Sequence, residues 1–175
     1  SEYQKIALFV PEKYLRCTKK GNNIYSCDPN MASRIDGYTV RTAPIVTQIS
    51  SPQYAAMPAL TEYHNIKDFT DAGLIYAHIG FRGIEHSAPA AVADIKAAIR
   101  FIKNNSERIP GNTESIFILA ANHGAFLASI VGASGSDRLY TPYLQEIGAL
   151  SNVEDNIKGV MLINPKGALD TANEA

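Results

Sequence analysis

No run of lysine and arginine, no acidic tail and no apolar stretch long enough to cross a bilayer occurs in this chain of 175 residues. With a formal net charge of −1, it offers no electrostatic footprint for nucleic acid and no segment for a membrane. The first residues, Ser-Glu-Tyr-Gln-Lys, lack the basic segment and apolar core of a signal peptide, although a processed one would already be gone. Gly-x-Gly-x-x-Gly and Gly-Lys-Ser/Thr are both missing, so dinucleotide and P-loop chemistry lose support. The four histidines, His64, His78, His86 and His123, include no pair at metal-binding spacing. No metal or cofactor is expected. Cysteine is scarce: Cys17 and Cys27 only. They flank a polar loop, and two readings stand. A disulfide would close that loop, stabilise by about 2–3 kcal/mol and suit an extracellular or periplasmic protein; two free thiols would suit a cytoplasmic one.

What remains is an ordinary amount of apolar sequence, enough for one domain over 1–175. Ile6–Val10, ended by Pro11, reads as a strand, and residues 17–37 as a polar insertion or excursion. Tyr38–Ala43 alternates, and Ile45–Ile49 continues as a strand. Residues 50–60 read as loop and 61–72 as a short helix. Gly73–Ile79 is a strand. Ser87 and Pro89 then occupy the N-cap and first turn of a helix whose Val92, Ile95, Ile99 and Ile102 make one apolar face. Ser115–Ala120 reads as a strand buried on both faces, Ala125–Val131 as a helix, Thr141–Gly148 as another, and Val160–Ile163 as a last buried strand. Alternating strands and helices predict an α/β fold: a mostly parallel sheet flanked by helices, with right-handed crossovers. Antiparallel strands fit residues 6–49.

Two constellations carry chemistry. The first is the strand, tight turn and helix over 115–131, the layout in which an α/β-hydrolase presents its nucleophile as Gly-x-Ser-x-Gly. Here those five positions read Ala120-Ala121-Asn122-His123-Gly124. The last glycine is present and the serine is missing. Asn122 tolerates the positive φ of such an elbow, but its amide is no nucleophile. His123 is a candidate ligand contact. The other reading is that both residues merely complete a turn. The second is Gly80-Phe81-Arg82-Gly83, at the carboxyl end of a strand, where such folds bind ligands. Its N–H groups suit an oxyanion, Arg82 suits a carboxylate or phenolate, and His86 is placed to line the same cleft; a plain turn with a solvated arginine is the other reading. His78, inside a strand, reads as a hydrogen-bonded core residue. A triad histidine follows the nucleophile and acid in this fold, and no histidine occurs after residue 124.

Several segments together resemble the bacterial tannase and related carboxylesterase group of α/β-hydrolases. They are Ile6–Tyr14 (Ile-Ala-Leu-Phe-Val-Pro-Glu-Lys-Tyr), Gly37–Ile45 (Gly-Tyr-Thr-Val-Arg-Thr-Ala-Pro-Ile) and Gly80–Gly83. Ala88–Arg100, Ile109–Thr113 (Ile-Pro-Gly-Asn-Thr), Gly132–Gly135, Leu139–Gly148 and Leu169–Ala175 complete the set. The resemblance implies a truncated α/β-hydrolase-like fold whose relatives cleave esters of aromatic acids with a Ser-Asp-His triad. The family's elbow serine falls on Asn122, its first glycine on Ala120, the residue after the serine on His123, and its second glycine matches Gly124. The acid and histidine lie in a later part of the family that this chain lacks.

Three expectations follow. The chain is a catalytically impaired hydrolase-fold protein, a pseudoenzyme or binding component, with a small aromatic or acidic ligand near Arg82, Gly83, Asn122 and His123. A second polypeptide, or self-association through an incomplete sheet, completes it. The alternative is an active carboxylic ester hydrolase completed by residues outside this chain. A doubly wound binding domain unrelated to hydrolases is the third reading; an antiparallel N-terminal strand separates it from the first two.

Overall fold

A computed structural model describes residues 3–58, 60 and 65–166. His64 and the segment Leu169–Ala175 lie outside them, as do the first residues of the helix expected over 61–72. The strands are β1 (Ile6–Phe9), β2 (Leu15–Gly21), β3 (Ile24–Pro29), β4 (Pro44–Ile49), β5 (Ile75–Ile79), β6 (Asn112–Ala121) and β7 (Gly159–Ile163). The α-helices are α1 (Lys67–Asp71), α2 (Ala88–Asn104), α3 (Asn122–Ser134) and α4 (Thr141–Glu146). The main sheet has the order β1-β5-β4-β6-β7. β5, β4, β6 and β7 run parallel, and β1 is antiparallel to β5. This mixed sheet with flanking helices agrees with the α/β class expected, and the antiparallel β1 favours the hydrolase readings.

Side-chain alternation divides the sheet into two faces. Ile45 and Ile49 of β4, Ile75, Ala77 and Ile79 of β5, and Ile116, Ile118 and Ala120 of β6 share one core. Val92, Ile95, Ile99 and Ile102 of α2 fill it, with Leu127, Ala128 and Val131 of α3. The apolar spacing read from α2 is therefore its packing face. On the opposite face Phe69 of α1 stacks on Tyr76 with ring centroids 5.2 Å apart. Among the described residues that cover does not extend over β6 and β7, where Phe117 and Leu119 are half-buried and Ala121 is exposed.

Several local expectations change. Residues 17–37 contain a hairpin, β2 paired to β3, outside the main sheet. Its turn uses Gly21, Asn22 and Asn23, all at positive φ, a conformation these residue types tolerate. Tyr38–Ala43 is not a strand: Tyr38 pairs with Ile35, and a turn closes from Thr39 to Thr42 through the backbone and both threonine hydroxyls. β4 is parallel, so the antiparallel reading of residues 6–49 holds for β1 to β3 alone. Ser87 does precede α2, but its side chain makes no cap hydrogen bond, and its φ is 94°. The last strand is not buried as expected: among the described residues β7 is the last in the sheet, and Met161 and Ile163 are 58% and 56% exposed. Cys17 and Cys27 are directly opposed in the hairpin and form a disulfide.

Candidate functional site

In an open parallel sheet, ligands bind beyond the carboxyl ends of the strands, where the strand order reverses. Here the chain steps from β4 to β5 on one side and then returns across β4 to β6 on the other, so the switch lies between β4 and β6. The loop after β4, Ser50–Tyr54, and the turn after β6, Ala121–Gly124, therefore meet at this end of the sheet.

The turn after β6 is a true elbow. Ala121 ends the strand in extended conformation, Asn122 has φ 53°, and α3 starts there. An L-residue in this left-handed region is strained unless its side chain is short and polar, as in asparagine. The Asn122 amide is exposed. Its Oδ1 accepts from Asn164 Nδ2 at 3.3 Å, and its carbonyl accepts from Lys166 N–H at 3.1 Å. Gly124 is sterically required: a Cβ there would stand 2.5 Å from the Ile49 carbonyl oxygen. That close approach presses α3 onto the end of β4.

His123 turns toward the loop after β4. Its Nδ1 accepts the Gln53 backbone N–H at 3.3 Å, and its ring meets Tyr54 edge-on at 5.1 Å. The neutral imidazole thus carries its proton on Nε2. Gln53 and Tyr54 both have positive φ, 51° and 60°, so strained backbone lies on both sides of this contact. Tyr54 also leans on Phe126 and is half-buried; burial pushes its hydroxyl up from the ordinary 10.0.

The turn after β5 behaves differently. Each of its four N–H groups is already taken: Gly80 donates to Lys5 O, Phe81 to Met57 O, Arg82 to Asp94 Oδ2 and Gly83 to Glu85 Oε1. Arg82 does grip a carboxylate in two-point fashion, but it is its own Asp94 on α2, both contacts at 2.9 Å. That bond raises the arginine above its ordinary value. Gln4 Nε2 donates to the same carboxylate at 2.7 Å. His86 is exposed beside Glu85, 3.1 Å away, and lines no cleft with the elbow. The expected cleft joining Arg82, Gly83 and His86 to Asn122 and His123 is therefore corrected. β4 stands between β5 and β6, so the neighbour of the elbow is the Ser50–Tyr54 loop. Reading the order of strands along the chain cannot reveal which loops become neighbours. Positive φ at Gln53 and Tyr54 leaves no trace in residue type either.

Other polar groups serve structure. His78 Nε2 bonds to the Pro58 carbonyl at 2.8 Å, as a core histidine should. The buried Lys96 and Arg100 of α2 both meet Asp155, at 2.9 and 2.7 Å. Lys96 also reaches Gly135 O, and Arg100 reaches Leu150 O. This cluster ties α2 to the chain leading into β7. Among the described residues no group of histidine, cysteine and carboxylate side chains is arranged to hold a metal ion.

The BD-FAE family model matches residues 50–168, which include the Ser50–Tyr54 loop and the elbow. The chain belongs to the BD-FAE family. BD-FAE is an α/β-hydrolase-type family, which agrees with the elbow and with the antiparallel first strand. Solved structures extend the relation. Tannase from Fusobacterium nucleatum superposes with a TM-score of 0.74 at 28% identity, covering 89% of this chain and 33% of that one. A tannin acyl hydrolase in complex with ethyl gallate gives 0.78 at 28% identity, covering 93% and 36%. Tannase from Lactobacillus plantarum gives 0.78 at 28%, covering 93% and 35%. This BD-FAE chain therefore spans about a third of the length of the tannases it matches. No protein of curated function matches it.

Proposed function

We propose that this BD-FAE chain is a catalytically impaired, tannase-like protein that binds a small aromatic or acidic ligand where the loops after β4 and β6 meet. One observation carries the reading: the elbow keeps its strained backbone and its close-packing glycine, while Asn122 stands at the nucleophile position. A carboxamide nitrogen shares its lone pair with the carbonyl and cannot open an ester, so no acyl-enzyme forms there. The surviving geometry suits recognition: Tyr54 and Phe126 supply aromatic surface, and Asn122 supplies an exposed amide. The tannin acyl hydrolases solved with ethyl gallate and with 3,4-dihydroxybenzoate suggest the ligand class. The disulfide supports an oxidising compartment.

The test is a pair of measurements on the purified chain. Ethyl gallate and p-nitrophenyl esters should show no enzyme-dependent hydrolysis. Gallate or 3,4-dihydroxybenzoate should shift NMR signals of Tyr54, Asn122 and His123. Turnover refutes the impairment, and unchanged signals refute the ligand site.

The second reading, an active ester hydrolase completed from outside this chain, is favoured by one fact: the tannases are about three times longer than the part matched here. It expects a co-purifying polypeptide and a serine labelled by a fluorophosphonate probe. The preparation staying unlabelled, with and without that partner, would remove it.

A further inference from the structure

We infer that a cavity of about 280 Å³ between α2, α4 and the chain leading into β7 binds a small oxyanion of the phosphate kind, held by Arg100 and Arg138. Two buried cations, Lys96 and Arg100, share one buried carboxylate, Asp155. Their other acceptors are the carbonyl oxygens of Gly135 and Leu150, which carry no charge. One positive charge is therefore left over where solvent balances it poorly, since the Arg100 side chain is only 10% exposed. A charge held in such a place is costly unless an opposite charge meets it.

Arg100 keeps donors to spare. Its Nε and Nη1 donate to Asp155 Oδ2 and Leu150 O, both at 2.7 Å. Its Nη2 bonds to no group among the described residues. It is also not sealed in: among those residues, Thr47 Oγ1 is the one fully enclosed side-chain polar atom without a partner. Nη2 is thus open to solvent, and the cavity that Arg100 lines is this one. Arg138 lines it too, exposed and without a side-chain partner among the described residues. A guanidinium presents its N–H groups as a planar fork that matches the spacing of oxygens on phosphate. Thr141 adds a hydroxyl, and Asn152 an amide nitrogen whose own carbonyl already accepts from Ser151 Oγ at 3.5 Å. Glu154 is the single carboxylate in the lining, and its Oε2 is occupied by Asn156 Nδ2 at 3.1 Å. The volume leaves room for a small polar body attached to the anion. Asp155 precedes β7, so the cavity lies toward the amino end of the parallel strands, opposite the elbow. The inference does not depend on the ligand reading above.

Inorganic phosphate, titrated at constant ionic strength, should raise the melting temperature of the purified chain, because a ligand that binds only the folded state stabilises it. Chloride in its place should not. In NMR spectra phosphate should shift the Arg100 Nε–H signal and the Ser151 and Asn152 amides, and leave His123 unmoved. Arg138→Gln, at an exposed position, should weaken phosphate binding about tenfold, the worth of one hydrogen bond between charged groups. Arg34→Gln, exposed and outside the cavity, should leave it unchanged. Arg100→Gln should abolish binding; should that variant fail to fold, Arg138→Gln and the Arg100 signal of the parent chain decide. No stabilisation beyond that of chloride, shifts that map away from the cavity, or equal affinity in Arg138→Gln would overturn the inference.

Discussion

Gly124 lies so close to Ile49 that any side chain at this position meets the backbone of β4, 2.5 Å from the Ile49 oxygen. Gly124→Ala should therefore push α3 away from the sheet. Overpacking of this kind costs about 1–3 kcal/mol. A lower urea midpoint, with the Gln53–His123 contact weakened in NMR spectra, is the expected result. Unchanged stability would mean that α3 is free to slide.

Asn122→Ser should leave the fold intact and produce no esterase, because a lone hydroxyl has no aligned base. The assay is p-nitrophenyl ester hydrolysis against the parent chain. Asn122→Val tests the backbone instead: a β-branched residue at φ 53° should lose about 1–2 kcal/mol.

Reducing the Cys17–Cys27 disulfide should loosen the hairpin and spare the core. Residues 16–29 are exposed throughout, and an isolated two-stranded hairpin is marginal in water. The closed loop contributes about 2–3 kcal/mol. Hydrogen exchange at β2 and β3 amides should accelerate on reduction, with β4 to β6 amides unaffected.

Arg82→Ala should destabilise the protein without weakening ligand binding at the elbow. Among the described residues it leaves the buried Asp94 carboxylate with Gln4 and the Arg82 backbone N–H as partners. Removing one member of such a pair costs about 3 kcal/mol. Thermal melting and gallate titration together check both halves of the statement.

Alkaline pH should unfold the protein through its buried tyrosines. Burial raises Tyr14 above 10.0, reinforced by Asp36 and Tyr38. Burial likewise raises Tyr76, and it raises Tyr140 with help from Asp137 and Tyr143. A raised folded value means that the fold favours the neutral form. This stability is complete below the unfolded value and is lost as pH rises through the folded one. Melting temperature should fall above about pH 10, in step with absorbance at 295 nm. Tyr14→Phe should shift that fall and also lose the hydrogen bond to Gly73 O.

The helical face of α2 and the strands β1, β4, β5 and β6 were legible because burial imposes a period on residue type. The hairpin was not. β2 and β3 bury almost nothing, so no alternation of apolar and polar residues marks them. Val160–Ile163 misled in the opposite sense: an apolar run reports what a strand is suited to contact, and its neighbours decide whether that contact exists. Arg82 was read as an open hand because its partner Asp94 lies on the next helix, 12 residues on, where chain order gives no distance.

Sequence by itself determined the α/β class, the elbow at 120–124 and the absence of its serine, since these are local patterns of residue type and spacing. Only the tertiary structure decided which loops meet. By inserting β4 between β5 and β6, the sheet order brings Gln53 and Tyr54 to His123 and leaves Arg82 with Asp94. Strand order depends on the packing of distant segments, and no local run of residues encodes it.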